Sequence, residues 1–145
     1  AAKPFINQDT DVLVVSSDTI VESGLGNDIR NRILDCQGLI SVADMPGDRW
    51  SFARTDEKGK VLEVTEKIRI SNHASTGLYY FANGKQLVNI AEAMIAKQEK
   101  TRGEYYVIPV YQKMIENGGL VGISVASAMW DLGTPEALQL FLDKN

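Results

Sequence analysis

Apolar residues come in short runs punctuated by glycine and small polar residues, and their spacing shifts along the chain from continuous to alternating to helical. Asp11-Val12-Leu13-Val14-Val15 is an unbroken, largely β-branched run that closes on Ser16, Ser17 and Asp18. Such a run predicts a buried strand whose carboxyl end presents a carboxylate. Gly24 and Gly26 then break the chain, and Asn27 is placed to cap a helix whose apolar residues Ile29, Ile33 and Leu34 share one side. Residues 39–42, after Gly38, predict the next strand, so the opening stretch implies a parallel βαβ unit.

Residues 50–55 and 61–65 alternate and flank Asp56-Glu57-Lys58-Gly59, a hairpin in which Gly59 supplies the positive φ. Residues 75–81 form a further predicted strand, closed by Asn83-Gly84. Leu87, Ile90, Ala91, Met94 and Ile95 then recur at helical spacing. A second helical stretch covers residues 105–116, with Pro109 tolerated near its first turn. Residues 120–125 predict a strand, and Thr134-Pro135-Glu136 opens a last helix with Thr134 as its cap. No repeat or low-complexity segment interrupts the pattern. The expectation is one domain over residues 1–145: an α/β fold with a mixed, mainly parallel sheet flanked by helices.

Composition narrows the function classes. The 145 residues are 44% hydrophobic, enough for one core, and the formal charge is −4. Without a Lys/Arg cluster to release counterions, nucleic acid is not an expected partner. Cys36 is the single cysteine and has no internal disulfide partner, which suits a small buried hydrophobe more than a reactive thiol. No charged-then-apolar leader and no long apolar run occur, so the expected setting is the cytoplasm, away from membranes. The chain opens on Ala1-Ala2-Lys3-Pro4 without an initiator methionine, as a fragment or a processed product would.

Four places carry candidate chemistry. Asp18 stands just past a predicted strand, where ligands of open α/β sheets collect, and a carboxylate there suits a hard cation such as Mg²⁺. Asp131, in Trp130-Asp131-Leu132-Gly133-Thr134, follows another strand and precedes a helix. Either aspartate is equally the residue type of a turn or a cap. At Glu66-Lys67 the acid could accept hydrogen bonds from hydroxyls and the base neutralise a phosphate, or the two could be a solvated pair in the charged run 63–69. His73 has no Cys or His neighbour at metal spacing and is expected to be a loop hydrogen-bonder. Gly103-Glu104-Tyr105 suits a helix start, and Tyr79, Tyr80, Tyr105, Tyr106 and Tyr111 suit core and rim positions as readily as ligand stacking.

Taken in order, these segments resemble the sugar-phosphate nucleotidyltransferases, especially the smaller ones of capsular and lipopolysaccharide sugar pathways. The resemblance rests on Val14-Val15-Ser16-Ser17-Asp18-Thr19, Trp50-Ser51-Phe52-Ala53, Glu66-Lys67, residues 74–81, Gly103-Glu104-Tyr105-Tyr106 and Asp131-Leu132-Gly133-Thr134-Pro135-Glu136. It implies that Asp18 and Asp131 jointly hold Mg²⁺, within about 8 Å of each other given Mg²⁺–ligand distances of roughly 2.0–2.1 Å. It further implies that Glu66 serves sugar hydroxyls, that Lys67 serves the sugar phosphate, and that Gly77 lets the backbone approach the sugar. The family reaction is attack of a sugar 1-phosphate oxygen on the α-phosphorus of a nucleoside triphosphate, releasing pyrophosphate.

One departure matters. The family's glycine-rich loop, followed by Arg and Lys, cradles the triphosphate, and it is not found here. Lys3-Pro4 lies only 15 positions before Asp18, and Gly24-Leu25-Gly26 follows the metal-site strand without the basic residues that would meet phosphates. The expectation is therefore an incomplete nucleotide-diphospho-sugar transferase (Rossmann-like) fold, inactive as this chain alone. A homodimer is expected to cover the sheet edge that the absent unit would occupy. The alternative is a catalytically silent, homo-oligomeric binding or structural protein on the same scaffold.

Overall fold

The computed structural model describes residues 2–143. Along the chain run α1 (Lys3–Ile6), β1 (Val12–Val15), β2 (Thr19–Ser23), α2 (Leu25–Asn31), β3 (Cys36–Ala43), β4 (Ser51–Thr55), β5 (Val61–Glu66), β6 (Ala74–Phe81), α3 (Gly84–Ala96), α4 (Ile108–Glu116), β7 (Leu120–Asp131) and α5 (Pro135–Leu142). The strands make one mixed sheet in the order β2-β7-β3-β6-β4-β5, with β1 also paired to β6. Helices pack on it, as expected for the α/β class.

The pairing is less parallel than the apolar runs suggested. Of the ladders between these strands only β3 with β7 is parallel; those of β1, β3 and β4 with β6, of β4 with β5 and of β2 with β7 are antiparallel. β1 and β3 do run the same way, but β6 lies between them, so the predicted βαβ unit is split by a strand from later in the chain. A continuous apolar run reports burial on both faces and not the identity of the neighbour.

β6 carries two strands on one edge. Its residues 78–81 pair with β1, while Ala74 pairs with Phe52 of β4. Between those pairings Ser75, Thr76 and Gly77 are left at a gap, which becomes the floor of the cleft described below.

Local signals explain most element ends. Asn83 caps α3 by accepting from the Gln86 N–H, Thr134 caps α5 by accepting from the Ala137 N–H, and Gly59 takes φ +81 in the hairpin turn. α2 starts one turn earlier than expected, with Gly24 and not Asn27 at its N-cap, and it ends before Ile33 and Leu34, which are exposed. α4 starts at Ile108 because residues 101–104 form a tight turn closed by a Thr101–Glu104 bridge.

The main core lies between the sheet and α3 and α4. There Phe81 stacks on Tyr111 with centroids 4.5 Å apart, and the Tyr111 hydroxyl donates to the Tyr80 carbonyl at 2.8 Å. Burying a side chain of this class stabilises by about 1.5–3 kcal/mol. Val12 and Val14 point into this core, whereas Leu13 and Val15 point to the α2 side and remain 49% and 57% exposed. Cys36 is buried beside Leu25, Leu39 and Tyr80. The Lys3–Ile6 segment folds back on α3: Lys3 pairs with Glu92 at 2.6 Å and Ile6 joins the main core.

Candidate functional site

The gap along β6 opens into a cleft of about 230 Å³ lined by residues that include Asp18, Glu66, Gly77 and Asp131. Four of the five candidate residues thus meet in one place. Lys67 is not among the lining residues; its Nζ bonds the hydroxyl of Tyr106, which is.

The two aspartates converge through a strand that the sequence pattern did not reveal. β2 pairs with the end of β7 so that Thr19 faces Asp131, and the Leu132 N–H donates to the Asp18 carbonyl at 2.7 Å. Gly133 follows directly and donates its N–H to Asp131 Oδ1 at 3.0 Å. A Cβ on Gly133 would stand 3.1 Å from Asp131 Oδ1 and 3.2 Å from Asp18 Oδ2. A single point that close to both oxygens holds them no farther apart than the sum of the two distances.

Carboxylate oxygens are the hard donors that a cation such as Mg²⁺ takes. Among the described residues no group of three or more His, Cys, Asp or Glu side chains gathers that could hold a metal ion. Asp18 and Asp131 are the two carboxylates that would be available to such a cation. Asp131 already has a cationic neighbour, because Arg49 Nη2 lies 2.5 Å from its Oδ2.

Across the cleft the chemistry differs. Glu66 ends β5 opposite Ser51 of β4 and is buried, and the Ser51 hydroxyl donates a short hydrogen bond to Glu66 Oε2. Loss of water around the carboxyl raises its pKa above the ordinary glutamate value, against the lowering effects of Ser51 and of the nearby Lys67 and Arg102 charges. Next along the chain, Lys67 takes φ 57 and donates from Nζ to the Tyr106 hydroxyl at 2.7 Å. That bond raises the lysine pKa, so the amine is a cation at neutral pH. Tyr106 in turn donates to Glu104 at 2.5 Å.

Gly77 sits at φ +83 with its carbonyl accepting from the Ser16 N–H at 2.9 Å. A Cβ there would lie 2.5 Å from Ser16 Oγ and 2.7 Å from Ser16 Cβ. The position thus needs glycine twice, for its conformation and for the close passage of β1 against β6. His73 bonds through its backbone, accepting from the Ala53 N–H at 3.0 Å, and its Nδ1 is buried without a partner.

Sequence reasoning did not single out Arg49, Ser16 or Tyr106 for this cleft. Arg49 and Tyr106 stand inside or beside quoted motifs, but their contacts cross 82 and 39 positions of chain and leave no local signal.

In this mixed α/β fold two carboxylates and an arginine gather where β2 meets the end of β7. The sequence model of the nucleotidyl transferase family matches residues 1–143, and the chain belongs to that family. Among solved structures it is similar to the nucleoside-diphosphate-sugar pyrophosphorylase of Vibrio cholerae RC9, with 27% identity and a TM-score of 0.76 over 92% of this chain and 56% of that one. It shares its fold with a protein of Bacillus anthracis assigned as a glucose-1-phosphate thymidylyltransferase and solved with sucrose, at 20% identity and TM-score 0.72 over 96% and 55% of the two chains. It shares it also with the inositol-1-phosphate CTP transferase of T. maritima, at 14% identity and TM-score 0.70 over 99% and 57%. The chain therefore spans somewhat over half the length of each. Comparison with curated proteins gave no match.

Proposed function

We propose that the cleft binds a sugar phosphate together with Mg²⁺, as the sugar-phosphate and metal-binding portion of a sugar-phosphate nucleotidyltransferase. The observation that carries this reading is the meeting of Asp18, Glu66, Gly77 and Asp131 around one small opening. Glu66, buried and bonded to a neutral hydroxyl, is suited to accept hydrogen bonds from sugar hydroxyls. Gly77 lines the opening, although the space a side chain there would take is filled by Ser16 and not left for a sugar ring. Lys67 would leave the Tyr106 hydroxyl to meet the phosphate, keeping its charge throughout. A divalent cation between Asp18 and Asp131 would offset phosphate charge where the sugar phosphate oxygen attacks a nucleotide α-phosphorus and pyrophosphate departs.

On this reading the 145-residue chain does not turn over alone. It contains no glycine-rich loop followed by Arg and Lys, so the charge stabilisation of a triphosphate must come from elsewhere. The assay is pyrophosphate release from a panel of sugar 1-phosphates and nucleoside triphosphates with Mg²⁺. The expected rate is background; turnover on the order of 1 per second or faster, an ordinary enzyme rate, contradicts the reading.

A second reading, a silent homo-oligomeric scaffold, draws support from the exposed edge. Among the described residues β1 pairs with β6 alone, and Leu13 and Val15 are exposed on the face they share with Leu78 and Tyr80. An unpaired apolar edge invites a second copy, and a two-fold dimer buries both edges at once. Light scattering at micromolar concentration is expected to give twice 16.0 kDa, and a steady monomer mass would refute the dimer. No helix among the described residues is long and apolar enough to cross a membrane. We place the protein in the cytoplasm, in keeping with its single buried cysteine.

A further inference from the structure

Arg49 has no role in the reading above, yet it makes the closest charged contact to the cleft. Its guanidinium Nη2 lies 2.5 Å from Asp131 Oδ2, on the carboxylate whose other oxygen approaches Asp18. Its central carbon stands 4.2 Å from the Trp50 ring centroid, and Trp50 lines the cleft. The Arg49 side chain is 58% exposed while that of Asp131 is 16% exposed, so the cation has room to move and the carboxylate does not.

The loop that delivers Arg49 is anchored independently. Arg69 donates to the carbonyls of Gly47, at 3.0 Å, and of Met45, and to Ser71 and Asn72 at 3.1 Å, while its guanidinium stands 5.0 Å over Phe52. The Trp50 indole N–H donates to the Pro46 carbonyl at 3.0 Å. Arg49 can therefore release Asp131 by side-chain rotation, without the loop unfolding.

We propose that Arg49 is a resident counter-cation of the Asp18–Asp131 pair, which a divalent cation must displace, and that the displaced guanidinium then meets a phosphate in the cleft from its perch on Trp50. The proposal rests on the reading of the two aspartates as cation-holding residues. Two carboxylates brought together with no cation between them repel each other. An arginine on one of them relieves that repulsion and competes with any metal that arrives. Arginine also suits the second position, since its planar fork meets phosphate oxygens bidentately and stacks on an aromatic face. Arg49 is thus a positioning residue whose charge is never left unpaired: it serves Asp131 when the cleft is empty and phosphate when it is filled.

The experiment is Mn²⁺ titration of the whole chain, followed by electron paramagnetic resonance without substrate, for the wild type and for Arg49→Gln, Arg49→Lys and Asp18→Asn. Arg49→Gln is expected to bind Mn²⁺ about two- to fivefold more tightly, the range an exposed ion pair supports. Arg49→Lys, which keeps the charge, is expected to stay near the wild type. The gap between Arg49→Gln and wild type is expected to shrink as NaCl is raised, because the competition is ionic. With saturating Mn²⁺, inorganic phosphate is expected to bind more weakly to Arg49→Gln than to wild type. Unchanged or weaker Mn²⁺ binding in Arg49→Gln, alongside loss of binding in Asp18→Asn, overturns the counter-cation role and leaves the aspartate site standing. Binding that ignores Asp18→Asn, or no Mn²⁺ uptake by any variant, overturns the aspartate reading and the proposal with it.

Discussion

The two rims of the cleft hold acids in opposite ways. On one side Glu66 is buried, touches a neutral hydroxyl, and has its pKa pushed up by desolvation. On the other, Asp131 sits against an arginine that is more than half exposed, with Asp18 close by. A buried carboxylate bonded to a neutral hydroxyl, with the Lys67 and Arg102 charges near but not bonded to it, is equipped for hydrogen bonds with uncharged groups, whereas a pair that already attracts a cation is equipped to exchange it for another. The difference suits a ligand with hydroxyls at one end and phosphate charge at the other.

Gly77 lines the cleft between the two rims and passes close to Ser16, so the strongest way to break the arrangement is to fill that space. Gly77→Ala forces a left-handed residue to carry a Cβ that would stand 2.5 Å from Ser16 Oγ and 2.7 Å from Ser16 Cβ, well inside van der Waals contact. The expected loss is about 2–4 kcal/mol, from the conformational and overpacking costs together. Urea unfolding should show a lower midpoint with an unchanged slope; a midpoint within error of wild type would mean that the two rims are not held by this contact.

A subtler change sharpens the comparison through pH. Glu66 has its folded-state pKa raised above the unfolded value, so the folded chain holds its proton more firmly. The stability tied to that proton is fully present below the unfolded pKa and is lost as pH rises through the higher folded value. Glu66→Gln removes the charge and should therefore gain stability relative to wild type as pH rises from 4 to 7, measured as the difference in urea midpoints. A difference that stays flat over that interval would remove the claim that burial governs this rim.

Much of the frame was legible because its signals are local. The Asn83 and Thr134 caps, Pro135 in the first turn of α5 and the Gly59 hairpin each act within a few residues. What failed to show depends on register between distant strands. Thr19–Ser23 is a short, partly exposed strand, and the second half of β7 lacks a continuous apolar run, so neither announces the ladder that pairs them. Yet that ladder is what brings Asp131 to Asp18. Likewise no local pattern tells that β6 enters between β1 and β3, which turns an expected parallel unit into a mixed one. The candidate residues could be named from their order along the chain, whereas the contacts of Arg49 with Asp131 and of Lys67 with Tyr106 required the fold.

The central claim is that one cleft binds a sugar phosphate with help from a divalent cation, and calorimetric titration with a panel of sugar 1-phosphates tests it most directly. At least one is expected to bind in the presence of Mg²⁺, with EDTA weakening it and Lys67→Met weakening it about tenfold, the loss expected for one charge-assisted contact worth roughly 1.4 kcal/mol. Absence of binding across the panel, or binding indifferent to both EDTA and Lys67→Met, would contradict it.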